Sequence, residues 1–265
     1  MCLIVFAWKA HPRYPLILAT NRDEYHERPS APLSYWDDAP EVLGGRDIEK
    51  GGSWLAANVD GRWAAVTNFR DGHPSAAPTL SRGDLVRNYV SSRQMAANYA
   101  TTLEGSIPNY PGCNLLFAEP DALYYASNRH GSSNRRSRIE TVSTGVHSLS
   151  NHLLDTPWPK VERSKHRMQS LLEANGDTIT QNLFDFLSDR TEAVDADLPS
   201  TGIPADWERT LSAPFIVAGK YGTRASTVVL MDNEGVVQMH EREFSVGGIE
   251  IGRRSFSFKT AEEPA

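Results

Sequence analysis

The chain has 265 residues, 40% of them hydrophobic and 23% charged, with a net charge of −6. That is an ordinary soluble globular composition, long enough to bury a core without disulfide or metal staples. The acidic balance argues against nucleic acid as the main partner, since binding its backbone needs a basic face. The two cysteines, Cys2 and Cys113, cannot build a disulfide framework or a Cys-rich zinc site, and a reducing cytosol is the simpler reading. The apolar opening stops at Lys9 without a basic leader. No stretch approaches the roughly 18 apolar residues of a membrane span. The expectation is a cytoplasmic protein with no transmembrane segment.

Residues 2–8 read as a buried strand, and residues 16–20 as its antiparallel neighbour across a Tyr14-Pro15 turn. Asn21-Arg22-Asp23-Glu24 follows at the end of that second strand. A polar loop with Pro29, Pro32 and Pro40 then leads to Gly44-Gly45 and Gly51-Gly52. Residues 53–58 and 62–68 flank an Asp60-Gly61 turn and form the clearest hairpin. Ser81 and Asp84 resemble a capping box. The helix they open carries Leu85, Val86, Tyr89, Val90 and, further on, Ala96, Tyr99 and Leu103 at helical spacing.

Strands resume at 114–118 and 122–127 around Pro120-Asp121, then at 138–143 and 145–150. Helices are predicted over 159–174 and 179–189. The acidic stretch 192–206 reads as a surface loop, and strands return at 214–218, 226–231 and 236–244. There is no internal repeat. Strands first, helices in the middle and strands last is not the alternation of a parallel α/β sheet. It suits an α+β sandwich of antiparallel sheets with segregated helices, in one domain spanning 1–265.

Cys2 is the residue with chemistry to offer. Its small side chain favours removal of Met1, which would leave a mature first residue with both a thiol and a free α-amine. A thiol near pKa 8.5 is a poor nucleophile at neutral pH unless a base or a positive charge assists it. The α-amine, at about 7.7–8.0, can be that base within the same residue. From position alone, Cys2 also reads as a small buried hydrophobe that starts a strand.

An ordered set of motifs runs from residue 1 to about 230. It comprises Met1-Cys2, Asn21-Arg22-Asp23-Glu24, Gly44-Gly45-Arg46-Asp47, Gly51-Gly52-Ser53-Trp54-Leu55 and Thr67-Asn68-Phe69-Arg70. It continues through Ser81-Arg82-Gly83, Asn114-Leu115-Leu116, Leu149-Ser150-Asn151, Leu154-Asp155-Thr156-Pro157-Trp158-Pro159-Lys160 and Tyr221-Gly222-Thr223-Arg224. In these the chain resembles the NRDE family, also called the transport-and-Golgi-organisation family. That family is similar to the N-terminal-nucleophile hydrolases, above all the bile-salt hydrolase and penicillin V acylase group. The resemblance implies a four-layer αββα sandwich with Cys2 as nucleophile.

By the same resemblance, Asp23 would orient the Cys2 amine or thiol. Asn68 and Asn151 would hold the amine and line an oxyanion hole, and Arg224 would lower the thiol pKa. The acylases carry an arginine three residues before the catalytic Asp, where this chain has Thr20. Arg22 is adjacent to Asp23 instead, and neighbours on a strand face opposite sides.

Other readings of these residues stand beside the family's. Asp23, between Arg22 and Glu24, also reads as a solvated turn. Asn68 and Asn151 could satisfy local backbone groups, and Arg224 could be a surface ion-pair partner. The eight histidines show no metal-binding spacing, and the paired glycines do not sit in a phosphate loop. Two functions follow. In one, Cys2 attacks an amide or thioester of a small hydrophobic acyl substrate, with no cofactor required. In the other, the resemblance implies a carrier that binds haem or an acyl lipid without chemistry.

Overall fold

A computed structural model describes residues 2–72, 80–129, 138–173 and 178–261. In chain order, β1 (Cys2–Trp8), β2 (Leu16–Tyr25), β3 (Ser30–Trp36), β4 (Ala39–Asp47), β5 (Leu55–Asn58) and β6 (Trp63–Asn68) precede α1 (Arg82–Val90) and α2 (Ala96–Ser106). Next come β7 (Cys113–Glu119), β8 (Ala122–Ser127), β9 (Arg138–Thr141), β10 (Gly145–Leu149), α3 (Pro159–Glu173), α4 (Ile179–Leu187) and α5 (Ala205–Thr210). The described chain closes with β11 (Val217–Ala218), β12 (Tyr221–Met231), β13 (Val236–Phe244) and β14 (Glu250–Lys259). The fold class is the expected α+β, with two antiparallel sheets. The chain divides into two compact units, each discontinuous in sequence.

The first unit comprises Met1–Arg28, Thr144–Ser150 and Leu154–Phe258. Its sheet runs β10-β1-β2-β12-β13-β14, with β11 also paired to β12. β1 lies antiparallel to both β10 and β2, and β2 antiparallel to β12. Alternation gives the sheet two faces. Leu3, Val5 and Ala7 of β1, Ile17 and Ala19 of β2, and Val228 and Leu230 of β12 pack against Met168 of α3 and Leu183, Phe184, Phe186 and Leu187 of α4. The alternate residues Ile4, Phe6, Leu16 and Leu18 are buried too, which is why these strands read as unbroken apolar runs. α4 has only nine residues, too few to be stable alone, so its buried apolar face holds it.

Asn21 ties that helix to the sheet. Its Nδ2 donates to the Leu187 and Pro214 carbonyls at 2.8 and 2.9 Å, and its Oδ1 accepts from Ser226 Oγ at 2.6 Å. A C-terminal carbonyl of α4 is thereby satisfied inside the protein.

The second unit comprises Pro29–Ser143, Asn151–Leu153 and Lys259–Ala265. Its sheet is a meander in sequence order, β3 to β9. Leu85, Val86, Tyr89 and Val90 of α1 and Ala96, Tyr99 and Leu103 of α2 join Val42, Ala64, Leu115 and Phe117 in its core. The capping box forms as expected. The single helix expected beyond it is broken in two, however. Asn58 Nδ2 donates to the Val90 carbonyl at 3.0 Å, and Arg62 donates to the Tyr89 and Ser92 carbonyls. The hairpin thus captures the last carbonyls of α1 and ends it.

The structure differs from expectation elsewhere for equally local reasons. The predicted polar loop is the hairpin β3–β4. Pro32 is tolerated there because β3 is an edge strand whose register is interrupted between Ala31 and Ser34. β2 runs on to Tyr25, and β12 begins at Tyr221. The strand predicted at 214–218 shrinks to Val217–Ala218. β14 is almost entirely exposed, so it carries no apolar signal.

Gly52 and Gly83 mark a close backbone crossing. A Cβ built on Gly52 would lie 2.4 Å from the Gly83 carbonyl carbon, whereas one on Gly105 would meet nothing within 4 Å. Gly52→Ala is therefore expected to cost about 1–3 kcal/mol by overpacking. Gly105→Ala in α2 should instead gain up to about 1 kcal/mol. Urea unfolding of the two variants beside the parent checks both signs.

Candidate active site at the Cys2 end of the first unit

The register of the first sheet places Cys2 directly opposite Arg22 and Leu3 opposite Asn21. Arg22 in turn faces Ala225, and Asp23 faces Thr223. Directly opposed residues project to the same face. Cys2, Thr20 and Arg22 therefore share one face, while Asn21 and Asp23 share the face that carries α3 and α4. Arg22 is the cation across the strand from the thiol. Thr20, at the position where the acylases carry arginine, donates its Oγ1 hydrogen to the Leu3 carbonyl at 2.7 Å.

Asp23 is not in a solvated turn. It lies inside β2 and is 1% exposed. Ile216 N–H donates to Thr223 Oγ1 at 2.9 Å, and the Thr223 hydroxyl passes its own hydrogen to Asp23 Oδ1 at 2.7 Å. Tyr221 Oη donates to the Asp23 carbonyl at 3.2 Å. Burial pushes the Asp23 carboxyl up to about 6. The amino terminus, Lys160, the Thr223 hydroxyl and Arg22 all oppose that rise.

Burial also pushes the Cys2 thiol above its ordinary value, and the Asp23 charge adds to this. The amino terminus, the Asp23 backbone N–H and the Arg22 charge pull the other way without cancelling it. The sulfur is cradled by a backbone donor and faced by a guanidinium.

The β2–β12 register shifts between Thr223 and Ala225, which leaves Arg224 as the extra residue of a bulge. Its Nη1 donates to the Tyr25 carbonyl at 3.2 Å and to the Arg28 carbonyl.

Asn68 and Asn151 belong to the second unit, and they meet there. Asn151 Nδ2 donates to Asn68 Oδ1 at 2.7 Å and to the Asn68 carbonyl at 3.2 Å. Asn151 has φ of 60°, a left-handed conformation that asparagine tolerates, and its carbonyl accepts from Arg70 N–H at 2.7 Å.

Sequence reasoning read residues 155–160 only as a turn into a helix, and the structure gives them more to do. Asp155 holds His147 Nδ1 at 2.7 Å, Ser148 N–H at 2.9 Å and Lys165 Nζ at 3.2 Å. That knot shapes the turn from which α3 starts. Lys160, in the first turn of α3, is 2% exposed. The available signal was its place on the stripe Lys160, Ser164, Met168, one residue per turn.

A hollow of about 460 Å³ lined by Pro12, Arg13, Asp232, Asn233 and Glu234 lies at the β1–β2 turn, the opposite end of these strands from Cys2. Among the described residues, no three His, Cys, Asp or Glu side chains cluster to hold a metal, and no helix is long and apolar enough to cross a membrane. Met1, His73 and His130 lie outside the described residues.

Comparison with known proteins decides the family. The model of the family described as Transport and Golgi organisation 2 matches residues 1–246. The chain belongs to that family, as its motifs led us to expect. The bovine Transport and Golgi organization protein 2 homolog is 32% identical over 91% of this chain and 92% of its own length. The human homolog is 30% identical with the same coverage. The Drosophila melanogaster protein is 28% identical over 94% of each chain.

Among solved structures, a Caenorhabditis elegans N-acylethanolamine-hydrolyzing acid amidase ortholog is similar at 9% identity and TM-score 0.46, covering 86% of this chain and 92% of that one. A C2A mutant of the conjugated bile acid hydrolase from Clostridium perfringens is similar at 10% identity and TM-score 0.46, covering 98% and 97%.

The family member's buried carboxyl has a thermodynamic signature. Asp23 binds its proton more tightly in the fold, at about 6, than an ordinary aspartate at 3.8. Its contribution to stability is thus fully present below about pH 4 and is lost as pH rises through about 6. The difference is worth on the order of 3 kcal/mol. Urea midpoints measured from pH 4 to 7.5 should show Asp23→Asn gaining on the parent as pH rises, then running parallel above about pH 7.

Proposed function

We propose that the chain is a cysteine hydrolase that cleaves an amide or thioester of a small hydrophobic acyl substrate, with Cys2 as nucleophile once Met1 has been removed. The observation that supports this reading is the local setting of the sulfur. It sits at a strand end with a backbone N–H donating to it, a guanidinium across the strand, and a buried carboxyl one residue further along that strand.

A thiol attacks a carbonyl well only once its proton is taken, so the reaction needs a base. The Cys2 α-amine takes the thiol proton as Sγ bonds to the carbonyl carbon. The same proton then leaves with the amine or thiol of the departing group as the C–N or C–S bond breaks. Water attacks the acyl-enzyme, releasing the acid and restoring the thiol. Asp23 acts on the amine, whose protonated form its carboxylate stabilises, and Arg22 acts on the sulfur. A free thiol at this position also suits the reducing cytoplasm.

Intact mass and acylation test the reading together. Mature protein should lack Met1, and incubation with a panel of N-acyl amides and acyl thioesters should add one acyl mass at Cys2. Cys2→Ala should abolish both the adduct and turnover. Retention of Met1, or no adduct from any substrate, would overturn the hydrolase. A haem-induced Soret shift equal in the parent and in Cys2→Ala would instead favour a carrier of haem or acyl lipid on the same fold.

A further inference from the structure

We propose that Lys160 is a positioning residue of the Cys2 site, its buried ammonium serving as the counter-charge that keeps the Asp23 carboxyl ionised. The inference deepens the hydrolase reading, since it concerns the group that steadies the amine, but its first test needs no substrate. Two geometric facts converge on it. Alternation along β2 sends Ile17, Ala19, Asn21 and Asp23 to one face, and on that face Ile17 and Ala19 share a core with α3 and α4, while Asn21 reaches the end of α4. The buried residues of α3 are Lys160, Val161, Ser164 and Met168, with Lys160, Ser164 and Met168 recurring once per turn and Met168 in that same core.

The placement of Lys160 is costly by itself. A buried ammonium loses its hydration, and the N-terminal end of a helix carries a partial positive charge that repels it. A lysine at such a place needs an anion on the facing surface. The elements around Asp23 offer few other cations. The amino terminus is one of them by its influence on Asp23, and Arg22 points to the opposite face. Arg224 is bonded to carbonyls, and Lys165 of α3 is paired with Asp155. The nearest acidic side chain of α4, Asp185, is exposed. Asp23 feels the Lys160 charge as the second of the influences opposing its burial, after the amino terminus.

The test is the titration of the Asp23 carboxyl, followed by NMR of protein labelled with ¹³C at aspartate carboxyls and assigned by its loss in Asp23→Asn. The parent should titrate near 6. Lys160→Met should move the midpoint up by about one pH unit or more, and Lys160→Arg should hold it within about half a unit. An unmoved midpoint in folded Lys160→Met would overturn the proposal.

Should Lys160→Met fail to fold, the double variant Asp23→Asn, Lys160→Met decides, because it removes both charges together. Recovery of the fold supports the pairing, and persistent failure overturns it. The hydrolase reading fails separately: absence of acylation at Cys2 in the parent would sink that reading and leave the Asp23 midpoints untouched.

Discussion

A strand can give only every second side chain to one face, and the Cys2 end of the first unit depends on that constraint. β2 carries Arg22 and Asp23 as neighbours, so their charges must diverge. Arg22 goes with Cys2, and Asp23 goes to the helix face. An adjacent pair of opposite charges is split across the sheet. Both still bear on the Cys2 sulfur, the carboxylate raising its pKa and the guanidinium lowering it.

The split has an energetic cost that the surroundings offset by design of position. A carboxylate taken out of water loses several kcal/mol of hydration after relaxation, and hydroxyl donors return only part of this. Thr223 supplies one donor, forced to point at Asp23 because its own acceptor is filled by Ile216 N–H. The remainder comes from charge. The result is a carboxyl poised near 6, ionised at neutral pH yet close enough to protonation to respond to one missing partner. A surface aspartate would be indifferent to such a loss.

Much of this was legible in the sequence where side chains alternate or recur with regular period. The buried strands β1 and β2, the hairpin at Asp60-Gly61, the capped helix and the paired helices at 159 and 179 all declared themselves through apolar pattern. β3, β4 and β14 did not, because edge and exposed strands need no apolar face. The polar ends of β2 and β12 were also hidden. Nothing in Asn21-Arg22-Asp23-Glu24 looks like a buried strand until its partners Thr223 and Ser226 are seen to satisfy it. Of the site, the ordered motifs pointed to Cys2 and Asp23. Arg224 could not be placed from sequence because a single-residue bulge re-aims it. Lys160 was hidden by the habit of reading lysine as solvent-exposed.

The motif letters divide by role once the geometry is known, and the division bears on how the thiol is activated. Asn21 fastens α4, Thr20 fastens β1, and Gly52 admits the backbone of Gly83; these hold the framework. Arg22 and Asp23 lie beside Cys2 and project to opposite faces of the sheet. Burial raises the Cys2 thiol, while the amino terminus, the Asp23 backbone N–H and the Arg22 charge draw it down. The thiol and the Asp23 carboxyl thus answer to two shared cationic influences, the amino terminus and Arg22, so a change at either cation is felt by both groups together.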